Sequence, residues 1–187
     1  MQATADLTNH FLIAMPTLAD PNFFHTVTYL CEHNEEGAMG IVVNRPLELQ
    51  FQELLEQLEL ETTDPKLAQL PIYQGGPVQT ERGFVLHSNE GEWTSSIQVT
   101  DNIVMTVSQD IIEAIALGGG PDKYLIALGY AGWGDGQIEH ELADNTWLNG
   151  PADCSIIFDL PIEQRWSAAA AHLGVELSRL STDIGHA

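Results

Sequence analysis

The feature that most restricts the fold is a change of hydrophobic period between residues 25 and 60. In "HTVTYLCEH" (His25 to His33) apolar and polar residues alternate, as they do along a strand with one covered face. The turn signal "NEEG" and the run "AMGIVVNRP" follow, so residues 25 to 44 read as a hairpin whose second strand stops at Pro46. Side-chain period two places Val27, Tyr29, Cys31 and His33 on one face of the first strand. "FQELLEQLEL" then has Phe51, Leu54, Leu55 and Leu58 at i, i+3, i+4 and i+7, with Glu53, Glu56 and Glu59 on the other side. That spacing is an amphipathic helix with an acidic outer face.

The same reading continues along the chain. "FLIAMP" (Phe11 to Pro16) is a short apolar run ended by proline, "TTDPKLAQLP" reads as a loop, and "IYQGGPV" as a strand entering a glycine turn. "GFVLHS" and the region of "SIQVTDNIVM" are further strands. Thr106 with Gln109 suggests a capping box ahead of a helix carrying Ile111, Ile112 and Ile115, which stops at Gly118 to Pro121. "KYLIALG" (Lys123 to Gly129) is a continuous apolar strand, central in a sheet. A short helix is expected from Gln137 to Asp144, and a last one opens at Pro161, carries Ile162, Trp166, Ala169, Ala170 and Leu173 on one face, and closes at Gly174. Strands in hairpins as well as beside helices predict a mixed-sheet α+β fold. The length of 187 residues, with no linker and no repeat, predicts a single domain over residues 1–187.

Charge narrows the function classes. Six Lys and Arg stand against 27 Asp and Glu, a formal net charge of −21. A chain that binds nucleic acid displaces phosphate counterions with cations, so direct DNA or RNA binding is disfavoured, as are anionic membrane surfaces. "MQATADLTNHFLIAMP" has no basic region ahead of its short apolar run and no apolar stretch is long enough to span a bilayer, so a cytoplasmic protein is expected. Cys31 and Cys154 belong to no metal-spaced set and read as two buried, reduced thiols.

The most conspicuous stretch is "GYAGWGDGQIEHE" (Gly129 to Glu141). It lacks the third glycine of a dinucleotide fingerprint and the Lys of a P-loop, and Asp135 would repel phosphate. On a helix Glu139, His140 and Glu141 point in different directions, so they form no ready-made triad; Gln137 or Glu139 is a better candidate than His140. A second group lies in "YQGGPVQTERGFVLHS", where Arg82 could grip an anion bidentately or join an internal ion pair, and His87 could be a site residue or a hydrogen-bonded core histidine. Acidic neighbours Glu32, Glu35 and Glu36 argue against an activated Cys31 thiolate beside His33. Seven scattered histidines with no HxH or HxxxH pair argue against a metal, and no cofactor is expected.

Read together, "HTVTYLCEHNEEGAMGIVVNRP", "YQGGPV" with "RGFVLHS", "GYAGWGDGQIEHEL" with "WL", and the terminal "GHA" resemble the successive blocks of the bacterial YqgE/AlgH family, over about Leu12 to Ala187. The signature positions carried over are Glu32, His33, Asn44, Arg45 and Pro46; Gly75, Gly76, Pro77, Arg82, Gly83 and His87; Tyr130, Gly132, Trp133, Gly134, Gln137 and Glu139; and Gly185 and His186. A small residue is the family pattern at Asp135, and His140 lies at a variable position. The resemblance implies a largely antiparallel, bifurcated sheet folded into a partial barrel with flanking helices. It implies no reaction, and the family's label of transcriptional regulator sits poorly with this acidity and with the lack of a helix-turn-helix. The expected site residues are Arg82, His87, Tyr130, Trp133, Gln137 and Glu139, lining a cleft for a small molecule or peptide. The alternatives are a regulatory module acting through protein partners, and a hydrolase with Glu139 or His87 as general base.

Overall fold

The computed structural model describes residues 5–180, which gather into two compact units. The first is built from residues up to Asn44 together with those from Ala131 onward; the second is Arg45–Tyr130. The chain is α+β, with mixed and largely antiparallel strand pairing, as the alternation of periods predicts. Among the described residues no helix is long and apolar enough to cross a membrane.

In the first unit the strands β1 (His10–Ala14), β2 (Val27–Asn34) and β3 (Gly37–Val42) are antiparallel neighbours, and the expected hairpin is β2 with β3. The last residues of β9 (Tyr124–Trp133) pair with β3, and β10 (Trp147–Pro151) pairs with β1, giving the order β10-β1-β2-β3-β9. The strand β10 has no strong periodicity of its own. It forms because each of its five residues finds a partner on β1, from Trp147 opposite Ala14 to Pro151 opposite His10.

One face of this sheet carries Leu12, Ala14, Leu30, Ala131, Trp133 and Trp147, which pack with Ile138 of α4 (Gln137–Ala143). The helix α6 (Arg165–His172) packs on β1 and β2, after the short α5 (Cys154–Phe158). It is anchored by long hydrogen-bonding side chains: Trp166 Nε1 donates to the Ala14 carbonyl at 2.9 Å, and Arg165 donates to the Val43 carbonyl at 2.7 Å. Asn44, a signature position, is likewise structural. Its carboxamide accepts from Val27 N–H and donates to the His25 carbonyl, both at 2.9 Å.

The second unit comprises β4 (Pro46–Gln50), α1 (Phe51–Gln57), α2 (Pro65–Ala68), β5 (Pro71–Gln74), β6 (Val78–Ser88), β7 (Ser96–Gln98), β8 (Ile103–Thr106) and α3 (Gln109–Ala116), with Tyr124–Tyr130 of β9. Here β9 pairs antiparallel with β6 and parallel with β5, and β8 and β7 extend the sheet beyond β6. The stripe of α1 (Phe51, Leu54, Leu55) and that of α3 (Ile111, Ile112, Ile115) bury against Ile72, Val85 and Ile126 of the sheet, as their helical spacing requires.

Three local expectations change. The loop "TTDPKLAQLP" contains α2, because Asp64 caps it by accepting from Lys66 N–H and Pro65 pre-sets its first turn. The helix α3 is capped at Ser108 rather than Thr106, whose hydroxyl is engaged by His87. The strand "KYLIALG" does not end at Gly129 but runs on to Trp133. Gly129 adopts φ +78 inside the strand, where an added Cβ would sit 2.4 Å from the Gly76 carbonyl oxygen; at Gly75 it would sit 2.3 Å from that of Gly129. The glycines of "QGGP" and "LGY" therefore serve close approach of two backbones, joined by Gly75 N–H donating to Leu128 O at 2.8 Å.

Candidate functional site

In the first unit the turn after Trp133 leads into α4, and the Gln137 side chain closes it by accepting from Gly134 N–H at 3.0 Å. At about 100° per residue, Ile138 and Leu142 point to the sheet, and Glu139 and Glu141 flank that apolar stripe about 80° to either side. Both carboxylates are thus carried to the edge of the core rather than into solvent. His140 points outward, its side chain 79% exposed, and meets Asp144 at 3.3 Å.

Glu139 Oε1 lies 2.7 Å from His33 Nε2. Leu7 N–H lies 2.9 Å from His33 Nδ1, and a backbone N–H can only donate, so Nδ1 accepts and Nε2 carries the proton that it donates to Glu139. The ring is fixed in one tautomer with both nitrogens engaged. Its side chain is 2% exposed and that of Glu139 35%.

His33 does not share a face with Tyr29, contrary to the period-two expectation. The register of β2 on β3 slips between Leu30 and Glu32, so that Cys31 is the extra residue of a bulge. One extra residue inverts the alternation beyond it. Tyr29 lies opposite Ile41, whereas His33 lies opposite Ala38, which is in the cluster of Trp133 and Ile138.

The rest of the site is made of Glu141 and three aromatic rings. Phe23, Trp133 and Trp147 contact one another with centroids 5.3 to 6.2 Å apart. Burial pushes the Glu141 carboxyl up from its ordinary range, outweighing the opposite pull of the Trp147, Trp133 and Gln137 side chains, and Asp20 adds to the rise. Glu139 Oε2 is buried without a hydrogen-bond partner among the described residues. The arrangement offers a carboxylate oxygen to a donor. Among the described residues it has no hydroxyl or thiol nucleophile paired with a free base, and no group of three or more His, Cys, Asp or Glu placed to hold a metal ion.

The six expected site residues divide by unit. Trp133, Gln137 and Glu139 belong to the first and surround the start of α4. Arg82, His87 and Tyr130 belong to the second. There the Arg82 guanidinium lies over the Phe84 ring at 5.7 Å and donates to Gln79 Oε1 at 3.3 Å, and Phe84 meets Tyr130 edge-on at 5.5 Å. His87 is on the opposite face of β6 by strand alternation. It is a core histidine: Nδ1–H donates to the Ser88 carbonyl and Nε2 accepts from the Thr106 hydroxyl, each at 2.7 Å. Burial holds its pKa below the ordinary value, against the opposing effects of the Ser88 carbonyl and Glu90. With both nitrogens engaged, His87 has no lone pair to offer as a general base. His87 therefore does not join Arg82 and Tyr130 in one cluster.

Burial also pushes the Cys31 thiol far up, so Cys31 is an inert core residue as its acidic neighbours suggested. Cys154 is exposed, not buried as expected, because it opens α5 at the surface. The signature positions Gly185 and His186 lie outside the described residues. Sequence reasoning did not consider Phe23 or Trp147 as site members; it weighed Glu141 beside Glu139 and His33 beside Cys31 but left both out of the expected site. The one signal for the His33–Glu139 pair was that both fall in signature blocks.

Known proteins match this chain over almost its whole length. A family model described as AlgH-like (DUF179) matches residues 11–178. A UPF0301 protein of Thioalkalivibrio sulfidiphilus is 59% identical over 187 residues, covering 100% of both chains. The UPF0301 protein AlgH of Pseudomonas aeruginosa is 58% identical over 182 residues, 97% of this chain and 96% of that one. The solution structure of the Pseudomonas aeruginosa AlgH protein superposes with a TM-score of 0.80 at 55% identity, covering 97% of each chain. A crystal structure of a Corynebacterium diphtheriae protein shares the fold, with a TM-score of 0.73 at 19% identity over 97% of this chain and 94% of that one.

Proposed function

Because the chain belongs to the AlgH-like family, whose shared name carries no reaction, we propose that it is a binding protein, not an enzyme, and that Glu139 is the anchor of its ligand site. The observation that carries this reading is the Glu139 carboxylate itself. One oxygen is held by a histidine of fixed tautomer, and the other is buried with no donor among the described residues. A carboxylate oriented in this way accepts a charge-assisted hydrogen bond from a ligand at little entropic cost. The chemistry that fits is an ammonium or other N–H donor on a small molecule or a peptide, which the net charge of −21 also attracts. A general-base role for His87 is disfavoured because both of its ring nitrogens are engaged within the protein. Two free cysteines suit a reducing, cytoplasmic setting.

The test is an NMR titration with a lysine-containing tetrapeptide and with its norleucine counterpart. The lysine peptide is expected to shift the amides of α4 and the His33 ring resonances, the norleucine peptide to shift neither, and Glu139→Gln to abolish the response. Equal shifts from both peptides, or an undiminished response in the variant, would overturn the reading.

A further inference from the structure

A hollow of about 590 Å³ lies in the first unit, along the outer side of α6 and the segment Val175–Ser178. It is open to ligand because the residues that α6 turns toward it are small: Ser167, Ala168 and Ala171. Two aromatic rings, His25 and Trp166, line it. They stack with a centroid separation of 3.9 Å, and Phe24 stacks on His25 at 3.7 Å, with planes 16° apart at each step.

Two features fix the lining rings in place before any ligand arrives. Trp166 is held through its indole N–H by the Ala14 carbonyl. His25 adopts φ +55, a conformation few L-residues take, and its carbonyl is held there by the Asn44 carboxamide. Local backbone strain retained by a dedicated side chain is a feature of binding sites. Both rings that line the hollow are thus anchored by residues outside its lining.

We infer that this hollow is a second binding site, distinct from Glu139, for a planar aromatic cation such as an amidinium or ammonium carried on a ring. The size is right, since sites for small molecules run from about 300 to 1,000 Å³. The flat shape is set by the ring stack, on which another ring continues the series. The sign of charge follows from the walls. Among the described residues neither Lys nor Arg lines the hollow; Glu176 does, with one oxygen shared with Arg179 at 2.9 Å. The face of Trp166 attracts a cation through its quadrupole, and the net charge of −21 repels anions. His25 adds no opposing charge near neutral pH, because burial holds its pKa below the ordinary value.

The experiment uses benzamidinium as probe, with benzoate as an anion of the same shape and guanidinium as a cation without a ring. Binding is read from the Trp166 indole N–H and the Ala168 and Ala171 amides in the full-length protein. Benzamidinium is expected to shift these resonances saturably, and to bind roughly tenfold more tightly than either control, the size of a cation–π contact of ordinary strength. Ala171→Phe, at an exposed position, should fill the hollow and abolish binding while the remaining spectrum stays native. Glu139→Gln should leave it unchanged, which separates this site from the one proposed above. No shift up to the solubility limit, equal affinity for benzoate, or binding retained in Ala171→Phe would each overturn the inference.

Discussion

The His33–Glu139 contact predicts an unequal response to two substitutions at one position. Glu139→Ala removes the acceptor and leaves the Nε2–H of a ring only 2% exposed with no partner. An orphaned buried donor costs about 1–3 kcal/mol, and losing a charged partner lies toward the upper end. Because Glu139 itself is 35% exposed, solvent screens part of the interaction, so the cost is about 2 kcal/mol. Glu139→Gln keeps a carbonyl oxygen for the same N–H and should cost only about 0.5–1 kcal/mol. Urea unfolding followed by both circular dichroism and tryptophan fluorescence measures the gap, with an expected midpoint shift on the order of 1 M for Glu139→Ala at unchanged slope. Nitrogen-15 NMR of the His33 ring adds a readout that stability alone does not give. The proton should remain on Nε2 in both variants, because Leu7 N–H continues to occupy Nδ1. Equal midpoints for the two variants, or a ring protonated on Nδ1, would refute the reasoning.

Gly37 has φ +137, and an added Cβ would sit 2.1 Å from the Trp133 carbonyl oxygen. Gly37→Ala should therefore lower stability by more than about 3 kcal/mol. Gly83→Ala, where an added Cβ meets nothing within 4 Å, should be close to neutral, and similar melting temperatures for the two would contradict this. Folding lowers the pKa of His87 from its ordinary 6.5, so the unfolded chain binds more protons between that value and the lower folded one. Stability should accordingly fall as pH drops below about 6.5, and His87→Gln should flatten the slope; a slope unchanged in the variant would count against burial as the cause. His25 contributes in the same direction. Finally, an aromatic disulfide reagent should modify exposed Cys154 in the native protein and Cys31 only after denaturation, and simultaneous reaction of both thiols would show that Cys31 is not held in a closed core.

Much of the framework was legible because its signals are local. The β2–β3 hairpin, the apolar stripes of α1 and α3 and the start of α4 at Gln137 follow from spacings of two and 3.6 within a few residues, whereas the last helix, expected from Pro161, begins only at Arg165. The unfavourable balance for nucleic-acid binding needs only the charge count. What the sequence could not disclose is set by partners distant along the chain. The strand β10 exists by virtue of β1, and the hydroxyl of Thr106 is taken by His87 rather than by a helix end. Gly75 and Gly129 are glycines because two backbones meet there, not because a phosphate does. The candidate site depends most on such effects. His33 and Glu139 are separated by 106 positions, and they meet because a single unpaired residue, Cys31, turns the end of β2 over. Residue types and periods establish which faces are apolar; only the completed pairing of strands decides which face each polar residue finally joins.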